Sequence, residues 1–205
     1  MAAFITFEGV DGAGKSTQLQ LLARRLQAAG YTVVTSREPG GTPLGEAIRR
    51  MLLAREYELG VAAEVLLLAA ARATHVEEVI RPALARGAVV LLDRYTDSSL
   101  AYQGGASFAG VEAVLKINEF ATGGLWPDLT ILLDLPVATA LRRLGRPPDR
   151  MESRGLDYQE RVRAAYLQLA ARWPERMAVV PAEGNPEAVA EAVAATVRQR
   201  LGLNI

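Results

Sequence analysis

The stretch GVDGAGKST, Gly9 to Thr17, decides the fold, because it follows the apolar run 3–7 and fits the pattern G-x-x-x-x-G-K-[ST]. Its glycines let the backbone N–H groups turn inward, and the helix that follows adds the positive end of its dipole, which favours bound phosphate. Lys15 would reach the β- and γ-phosphates of a nucleoside triphosphate, and the Ser16 hydroxyl would ligate Mg²⁺. The simpler alternative is a glycine turn that only joins a strand to a helix, but pattern and context together favour the phosphate site. We therefore expect ATP-phosphate contacts along the whole stretch, from Gly9, Val10, Asp11, Gly12, Ala13, Gly14, Lys15, Ser16 and Thr17.

Short apolar segments rich in β-branched residues alternate along the chain with segments of helical spacing. The expected strands are 4–7, 31–35, 88–92, 129–133 and 177–180, and the expected helices are 16–29, 44–53, 62–85, 111–122, 137–144, 157–172 and 186–201. This alternation predicts an α/β three-layer fold, with a parallel sheet of about five strands and helices on both faces. Ligands bind beyond the carboxyl ends of such strands, so the loops after Phe7, Thr35 and Leu92 are the expected site.

The composition favours one domain over residues 1–205, because the chain has 205 residues, half of them apolar, and no linker segment. Its formal net charge of zero gives no electrostatic case for nucleic acid or a membrane as the main partner. Cysteine is absent, so thiol chemistry is excluded. The longest wholly apolar run, 65–71, is too short to span a bilayer, and no basic segment precedes the first apolar run, so we expect a cytoplasmic protein.

A second candidate element is the strand that ends in Asp93, within AVVLLDRY at 88–95. A carboxylate at this place resembles the Walker B residue that holds the metal ion, often through water. An aspartate after a strand is also a common cap for the following segment. The neighbouring phosphate loop favours the metal interpretation, so Ser16 and Asp93 are the expected Mg²⁺ site.

Four further segments resemble the thymidylate kinase family. DRYTDSSLAYQG at 93–104 is similar to its signature D-R-[YH]-x-x-S-x-x-A-Y-Q, REPGGTPLGE at 37–46 to its loop after the second strand, and EVLLLAAAR at 64–72 to its nucleotide-binding helix. DRME at 149–152 resembles the end of its lid. The resemblance implies a P-loop nucleoside-monophosphate-kinase-like fold, ATP as phosphoryl donor, dTMP as acceptor and a homodimer.

The same resemblance implies roles for the matched positions. Arg37 and Arg94 would grip the acceptor phosphate with guanidinium forks, and Arg94 would also reach the transferring phosphoryl group. Asp11 would accept from the sugar 3′-hydroxyl, and Tyr102 would occupy the place of a 2′-hydroxyl. The implied dTMP-binding set is Asp11, Arg37, Leu68, Arg72, Arg94, Ser98, Ser99, Tyr102 and Gln103, in which Arg72, Ser99 and Gln103 frame the thymine edge.

The chain departs from the common family pattern at three positions. Leu68 stands where many members carry a phenylalanine that stacks on the base, and Ala71 replaces a common aspartate. Gly12 stands where some members carry a catalytic arginine, so this arginine is expected in a lid at about 143–155. The candidates are Arg142, Arg143, Arg146 and Arg150, with Arg146 the first choice for catalysis and Arg143 the second; a basic helix end favoured by the dipole is the alternative.

Two other functions are weighed on the same residues. A regulatory GTPase would carry D-x-x-G after the second carboxylate strand and N-K-x-D for guanine, and neither motif is present. A kinase for another nucleoside monophosphate or for a bare deoxynucleoside remains an alternative, although Arg37 and Arg94 favour an acceptor that already carries phosphate. His75, the only histidine, is expected to be structural or to face solvent.

Overall fold

The computed structural model describes residues 2–54, 56–145 and 152–205. The strands are β1 Ala3–Glu8, β2 Val33–Arg37, β3 Val89–Asp93, β4 Leu129–Asp134 and β5 Met177–Pro181. They form one parallel sheet in the order β2-β3-β1-β4-β5. The predicted five-stranded parallel sheet is therefore confirmed.

The helices connect the strands in the alternation expected of parallel sheets. They are α1 Lys15–Ala28, α2 Pro43–Leu53, α3 Val61–His75, α4 Arg81–Ala85, α5 Thr96–Ser99, α6 Val111–Thr122, α7 Val137–Leu144, α8 Leu156–Arg172 and α9 Pro186–Leu201, with a short 3₁₀ helix at Glu152–Arg154. A π-helical segment, Val76–Ile80, joins α3 to α4, so the predicted helix 62–85 is one continuous helical run.

Both faces of the sheet are packed, which explains why the central strands β1, β3 and β4 are mostly apolar and buried. Ile5 and Leu91 belong to one buried cluster, whereas their neighbours Phe4 and Leu92 belong to another. Alternate residues of a strand point to opposite faces, so the two clusters lie on opposite sides of β1 and β3. Within the described residues, none of the helices combines the length and the apolarity that crossing a bilayer requires.

The segment after β3 is the main element that the sequence did not predict. Residues Thr96–Ser99 form α5, and the chain continues as a π-helical segment, Leu100–Ala106. Its serines and glycines have low helix propensity, but the segment is almost wholly buried and packs against α6 and α8. Tertiary packing therefore imposes this helix and holds its polar side chains toward the carboxyl edge of the sheet.

Candidate active site

The carboxyl ends of three strands bring the site together. β3 lies between β1 and β2, and in the register of the sheet Asp93 is paired with both Phe7 and Arg37. The loops after these strands are therefore neighbours, as the sequence predicted.

The glycine-rich stretch forms a tight loop between β1 and the first residue of α1. Lys15 is buried and its Nζ donates to the carbonyl oxygens of Gly9 and Val10, at 3.1 and 3.0 Å. Burial and the neighbouring Arg94 lower the pKa of Lys15. Gly12 has a φ of +85°, and a Cβ there would lie 2.1 Å from the Ala140 carbonyl oxygen. An arginine at this position would collide with α7, which gives a steric reason for the glycine.

A cleft of about 590 Å³ opens over this loop. Of the predicted phosphate-binding residues, it is lined by Asp11, Gly12, Ala13, Gly14, Lys15, Ser16 and Thr17. Gly9 and Val10 do not line it; the Val10 side chain is in the core, and the carbonyls of both residues instead hold Lys15. The cleft is also lined by Ala182, Gly184 and Pro186, from the turn that leads into α9.

The two predicted metal ligands meet at the edge of this cleft. Ser16 Oγ donates to Asp93 Oδ2 at 2.5 Å. A hydroxyl and a carboxylate oxygen are hard donors of the kind that Mg²⁺ prefers. In the described part of the chain, no cluster of three or more histidine, aspartate or glutamate side chains could hold a metal by itself.

A second, smaller cleft of about 130 Å³ adjoins the first. Eight of the nine predicted dTMP-binding residues line it: Asp11, Leu68, Arg72, Arg94, Ser98, Ser99, Tyr102 and Gln103. The ninth, Arg37, lines the larger cleft. Asp11, Glu38, Arg49 and Arg94 line both clefts, so the two spaces meet at these four residues.

Arg94 is the centre of the junction. Its Nη2 donates to Asp11 Oδ1 at 2.6 Å and to the Tyr102 hydroxyl at 3.2 Å, and its Nη1 donates to Ser98 Oγ at 3.0 Å and to the Tyr166 hydroxyl at 3.1 Å. Burial opposes its charge, but Asp11 and the two tyrosines hold the pKa of Arg94 well above its usual value. In turn, burial would raise the pKa of Asp11, but Arg94 and Lys15 hold it well below the usual range.

Arg72 forms the floor of the smaller cleft and is only 2 % exposed. Its Nε donates to Glu38 Oε2 at 2.6 Å, and its Nη2 donates to the Tyr95 carbonyl at 3.1 Å. Its Nη1 donates to Ser99 Oγ at 3.1 Å and to Asn118 Oδ1. His75 holds the other oxygen of Glu38 through Nδ1 at 3.0 Å. His75 is fully buried, so its predicted structural role fits this place and solvent exposure does not.

The carboxylate of Glu64 lies beside Gln103 at the same cleft. Gln103 Nε2 donates to Glu64 Oε2 at 3.3 Å, and Arg154 Nη2 donates to Glu64 Oε1. Glu64 is fully buried, and a buried carboxylate is costly unless donors hold it. Gln103 and Arg154 are two such donors. A carboxylate only accepts hydrogen bonds, and it therefore fixes the Gln103 amide with its nitrogen toward Glu64.

The predicted lid arginines divide into two groups. Arg143 lines the larger cleft, and its Nη1 donates to the Ala182 carbonyl at 3.1 Å. Arg142 lines neither cleft and donates to Thr139 Oγ1 on its own helix, at 3.0 Å. Arg146 and Arg150 lie outside the described residues.

Comparison with known proteins gives the same family throughout. The model of the thymidylate kinase family matches residues 7–193. The chain belongs to the thymidylate kinase family. A thymidylate kinase of Thermomicrobium roseum is 52 % identical and covers 97 % of this chain and 96 % of its own length. One of Caulobacter vibrioides is 48 % identical and covers 98 % of each chain.

A solved structure supports the fold as well as the family. The crystal structure of thymidylate kinase from Ehrlichia chaffeensis superposes with a TM-score of 0.79 at 30 % identity, covering 96 % of this chain and 98 % of the other. The implied P-loop nucleoside-monophosphate-kinase-like fold is thus confirmed for this thymidylate kinase family member.

Four charged residues at the site were not predicted from the sequence. Arg49 lines both clefts and donates to the Pro39 carbonyl at 3.1 Å, and Glu38 and Glu64 hold Arg72 and Gln103. Glu8 is buried behind the phosphate loop. One signal was available for Glu8, because a charge that ends an otherwise apolar strand at the ligand edge of a sheet needs a partner there.

Proposed function

We propose that this chain transfers the γ-phosphoryl group of ATP to dTMP, giving ADP and dTDP on the route to dTTP. Two clefts that meet at Asp11 and Arg94 carry this proposal, because one is built on a phosphate loop and the other is lined by eight of the nine predicted dTMP-binding residues. Membership in the thymidylate kinase family supports the same reaction.

The larger cleft would hold the triphosphate. The loop amides and the α1 N-terminus would bind the β- and γ-phosphates, and Lys15 would leave the loop carbonyls to reach them. Ser16 and Asp93 would hold Mg²⁺, which supplies positive charge to the phosphate oxygens. The turn at Ala182 to Gly184 also lines this cleft, and we propose that it binds the adenine.

The acceptor phosphate would lie where three arginines converge. Arg37 and Arg49 line the larger cleft together with Arg94. Burial lowers the pKa of Arg49, and the nearby positive charge of Arg37 lowers it further. Arg37 is paired with Glu46 and Arg94 with Asp11, and the planar guanidinium groups of the three arginines are suited to binding a phosphate in addition. This arrangement supports a monophosphate acceptor over a bare nucleoside.

The sugar and the base would fill the smaller cleft. Asp11 would accept from the 3′-hydroxyl, and the ring of Tyr102 would leave no space for a 2′-hydroxyl. Leu68 would cover one face of the thymine ring by apolar contact. The Gln103 amide, with its nitrogen bound to Glu64, would offer its oxygen to the thymine N3–H, while Arg72 would donate to a ring carbonyl.

In the transfer step, an oxygen of the dTMP phosphate attacks the γ-phosphorus, and the bond to the bridging oxygen breaks with its electron pair passing to ADP. The acceptor oxygen is already anionic, so no general base is required. Arg94 would bind the acceptor phosphate and the charge that spreads over the transferring group. Lys15 would neutralise the leaving β-phosphate.

We also propose that residues 143–155 close over the cleft as a lid and supply a further arginine. We expect Arg146→Ala to lower kcat by about 10³-fold, the low end of the range for such arginines, with a smaller effect on dTMP binding. Arg143→Ala is the matched comparison. If Arg146→Ala retains the wild-type kcat and Arg143→Ala loses it, the catalytic role belongs to Arg143.

A homodimer is proposed from two exposed apolar side chains. Leu66 on α3 and Phe120 on α6 are 59 % and 91 % exposed, and these two helices pack against each other. Apolar side chains of this size on adjoining helices favour a protein contact.

We propose a cytoplasmic location because the reaction consumes ATP and nucleotides of the cell interior.

An acceptor panel tests the proposed function directly. ADP release would be measured with ATP and Mg²⁺ against dTMP, dUMP, dCMP and thymidine. We expect the highest kcat/KM with dTMP and no turnover when EDTA removes the metal. If dUMP, dCMP or thymidine gave a higher kcat/KM than dTMP, the proposed acceptor would be wrong.

A further inference from the structure

Glu8 is a fully buried carboxylate that the reaction described above does not use. It is the last residue of β1, immediately before the phosphate loop, and it is 0 % exposed. Burial, together with the nearby Asp97, raises its pKa to about 7, while Arg94, Ser98 and Tyr166 act in the opposite direction. A buried carboxyl group is costly for the fold unless specific donors hold it.

Three donors hold this carboxylate, and each comes from an element that borders Arg94. Oε1 accepts from the Tyr95 backbone N–H at 2.7 Å. Oε2 accepts from Ser98 Oγ at 2.6 Å and from the Tyr166 hydroxyl at 2.8 Å. Ser98 lies on α5 and Tyr166 on α8, so one carboxylate joins β1 to two helices.

The two hydroxyls also contact Arg94, which makes Glu8 relevant to catalysis. Each hydroxyl has one hydrogen, and above pH 7, where Glu8 is ionised, its carboxylate can only accept that hydrogen. When Ser98 and Tyr166 give their hydrogens to Glu8, their lone pairs face Nη1 of Arg94, at 3.0 and 3.1 Å. Glu8 therefore determines that both hydroxyls act as acceptors toward the guanidinium.

The backbone of Arg94 is held from the same strand. Arg94 has a φ of +72°, which a non-glycine residue adopts only when its surroundings impose it. Its own N–H donates to the Phe7 carbonyl at 3.0 Å, and the next N–H, that of Tyr95, donates to Glu8. The end of β1 thus fixes both the backbone and the side chain of Arg94.

We propose that Glu8 is a positioning residue for phosphoryl transfer, which orients the Ser98 and Tyr166 hydroxyls as acceptors and thereby holds the Arg94 guanidinium at the junction of the two clefts. The proposal rests on the function proposed above, in which Arg94 binds the acceptor phosphate and the transferring group. Glu8 itself touches no substrate, because it lines neither cleft.

The variant Glu8→Gln tests this role with little change of shape. The amide oxygen can still accept from Tyr95, but an amide NH₂ then faces the two hydroxyls and donates to them. One hydroxyl can turn its hydrogen to the other, at 2.8 Å, but the second hydrogen then has no acceptor at Glu8 and turns toward the Arg94 side, so the acceptors of Arg94 are weakened. We expect kcat to fall by about 10²-fold, the effect of a small misplacement of a catalytic group, whereas KM for ATP stays within about twofold.

A double-variant cycle separates positioning from general damage. If Glu8 acts through the hydroxyls, Glu8→Gln combined with Tyr166→Phe will lose little more kcat than the worse single variant, because both changes break one network. Losses that multiply would overturn the proposal. So would a wild-type kcat in Glu8→Gln.

Two further variants keep the test decisive. Thr6→Val removes another buried hydroxyl of β1, which contacts Thr130 at 2.9 Å and has no contact with Arg94, and we expect it to leave kcat unchanged. If Glu8→Gln does not fold, Ser98→Ala with Tyr166→Phe removes the same acceptors while Glu8 remains. A wild-type kcat in that double variant would overturn the proposal.

Failure of the proposed function is a different result, seen as an absence of dTMP turnover by the wild-type protein.

Discussion

At the scale of single residues, Arg94 combines an unusual backbone with a complete set of partners. Its positive φ is maintained by hydrogen bonds to β1, and its guanidinium joins Asp11, Tyr102, Ser98 and Tyr166. The planar fork is what allows one side chain to serve four acceptors at fixed places. A lysine in its place would keep the charge but lose this geometry.

We therefore expect Arg94→Lys to lower kcat by about 10³-fold at saturating substrates, measured as ADP release. Arg86→Lys is the matched control, because Arg86 is exposed at the end of α4 and lines neither cleft. A loss below tenfold in Arg94→Lys would mean that charge alone suffices at this position.

The raised pKa of Glu8 predicts a pH dependence of stability with a definite sign. The carboxyl binds its proton up to about pH 7 in the folded chain and only to about 4.5 when unfolded. The folded state thus holds more protons between these values, so the Glu8 contribution is present below pH 4.5 and is lost as pH rises through 7. Asp97, Arg94 and Lys15 interact with it electrostatically, and Ser98 and Tyr166 donate hydrogen bonds to it.

Glu8→Gln has no such proton to lose. We expect the free energy of unfolding of this variant, relative to the wild type, to rise by on the order of 3 kcal/mol between pH 4.5 and 7. Urea unfolding of the ligand-free proteins at several pH values measures it. A pH-independent difference would show that Glu8 titrates normally.

At the scale of elements, the helical segment 96–106 and helix α3 together build the smaller cleft. Ser98, Ser99, Tyr102 and Gln103 come from the first element, and Glu64, Leu68 and Arg72 from the second. Two hydrogen bonds join the two elements directly, from Arg72 to Ser99 and from Gln103 to Glu64, and Ser98 ties the first element to β1 through Glu8. The base-binding surface therefore depends on how these elements dock.

This docking predicts a change of base preference in Glu64→Gln. The new amide can accept from Gln103 or donate to it, so the Gln103 amide can reverse and present its NH₂, which suits the N3 acceptor of cytosine. We expect the ratio of kcat/KM for dCMP to that for dTMP to rise by about tenfold, about 1.4 kcal/mol. Glu112→Gln, at a surface pair with Arg172, is the control. An unchanged ratio would remove Glu64 from base selection.

The elements themselves were largely predictable. All five strands and the long helices have clear periodicity, and their observed bounds agree with the predicted ones within about two residues. The helix over 96–106 was not, because its serines and glycines favour turns and only burial against α6 and α8 stabilises it. Local patterns predict an element when its own residues favour it, and fail when neighbours impose it.

At the scale of the whole molecule, the exposed apolar side chains of α3 and α6 predict self-association. We expect Leu66→Arg with Phe120→Glu to be monomeric by light scattering at micromolar concentration, whereas the wild type is a dimer. Phe108→Glu is the matched control, since Phe108 is 78 % exposed but lies outside both helices. A monomeric wild type would contradict the proposed homodimer.

The sequence by itself determined the phosphate loop, the parallel α/β fold and the family, because these depend on residues close together in the chain. Only the tertiary structure decided which charges meet around GVDGAGKST. Glu8 contacts Tyr95 and Tyr166, 87 and 158 positions away, and Glu64 contacts Arg154, 90 positions away. The tertiary structure also explains the glycine at position 12, because a Cβ there would collide with the carbonyl of Ala140 on α7. Such pairs leave no local pattern, because a buried charge selects its partner by proximity in the folded chain.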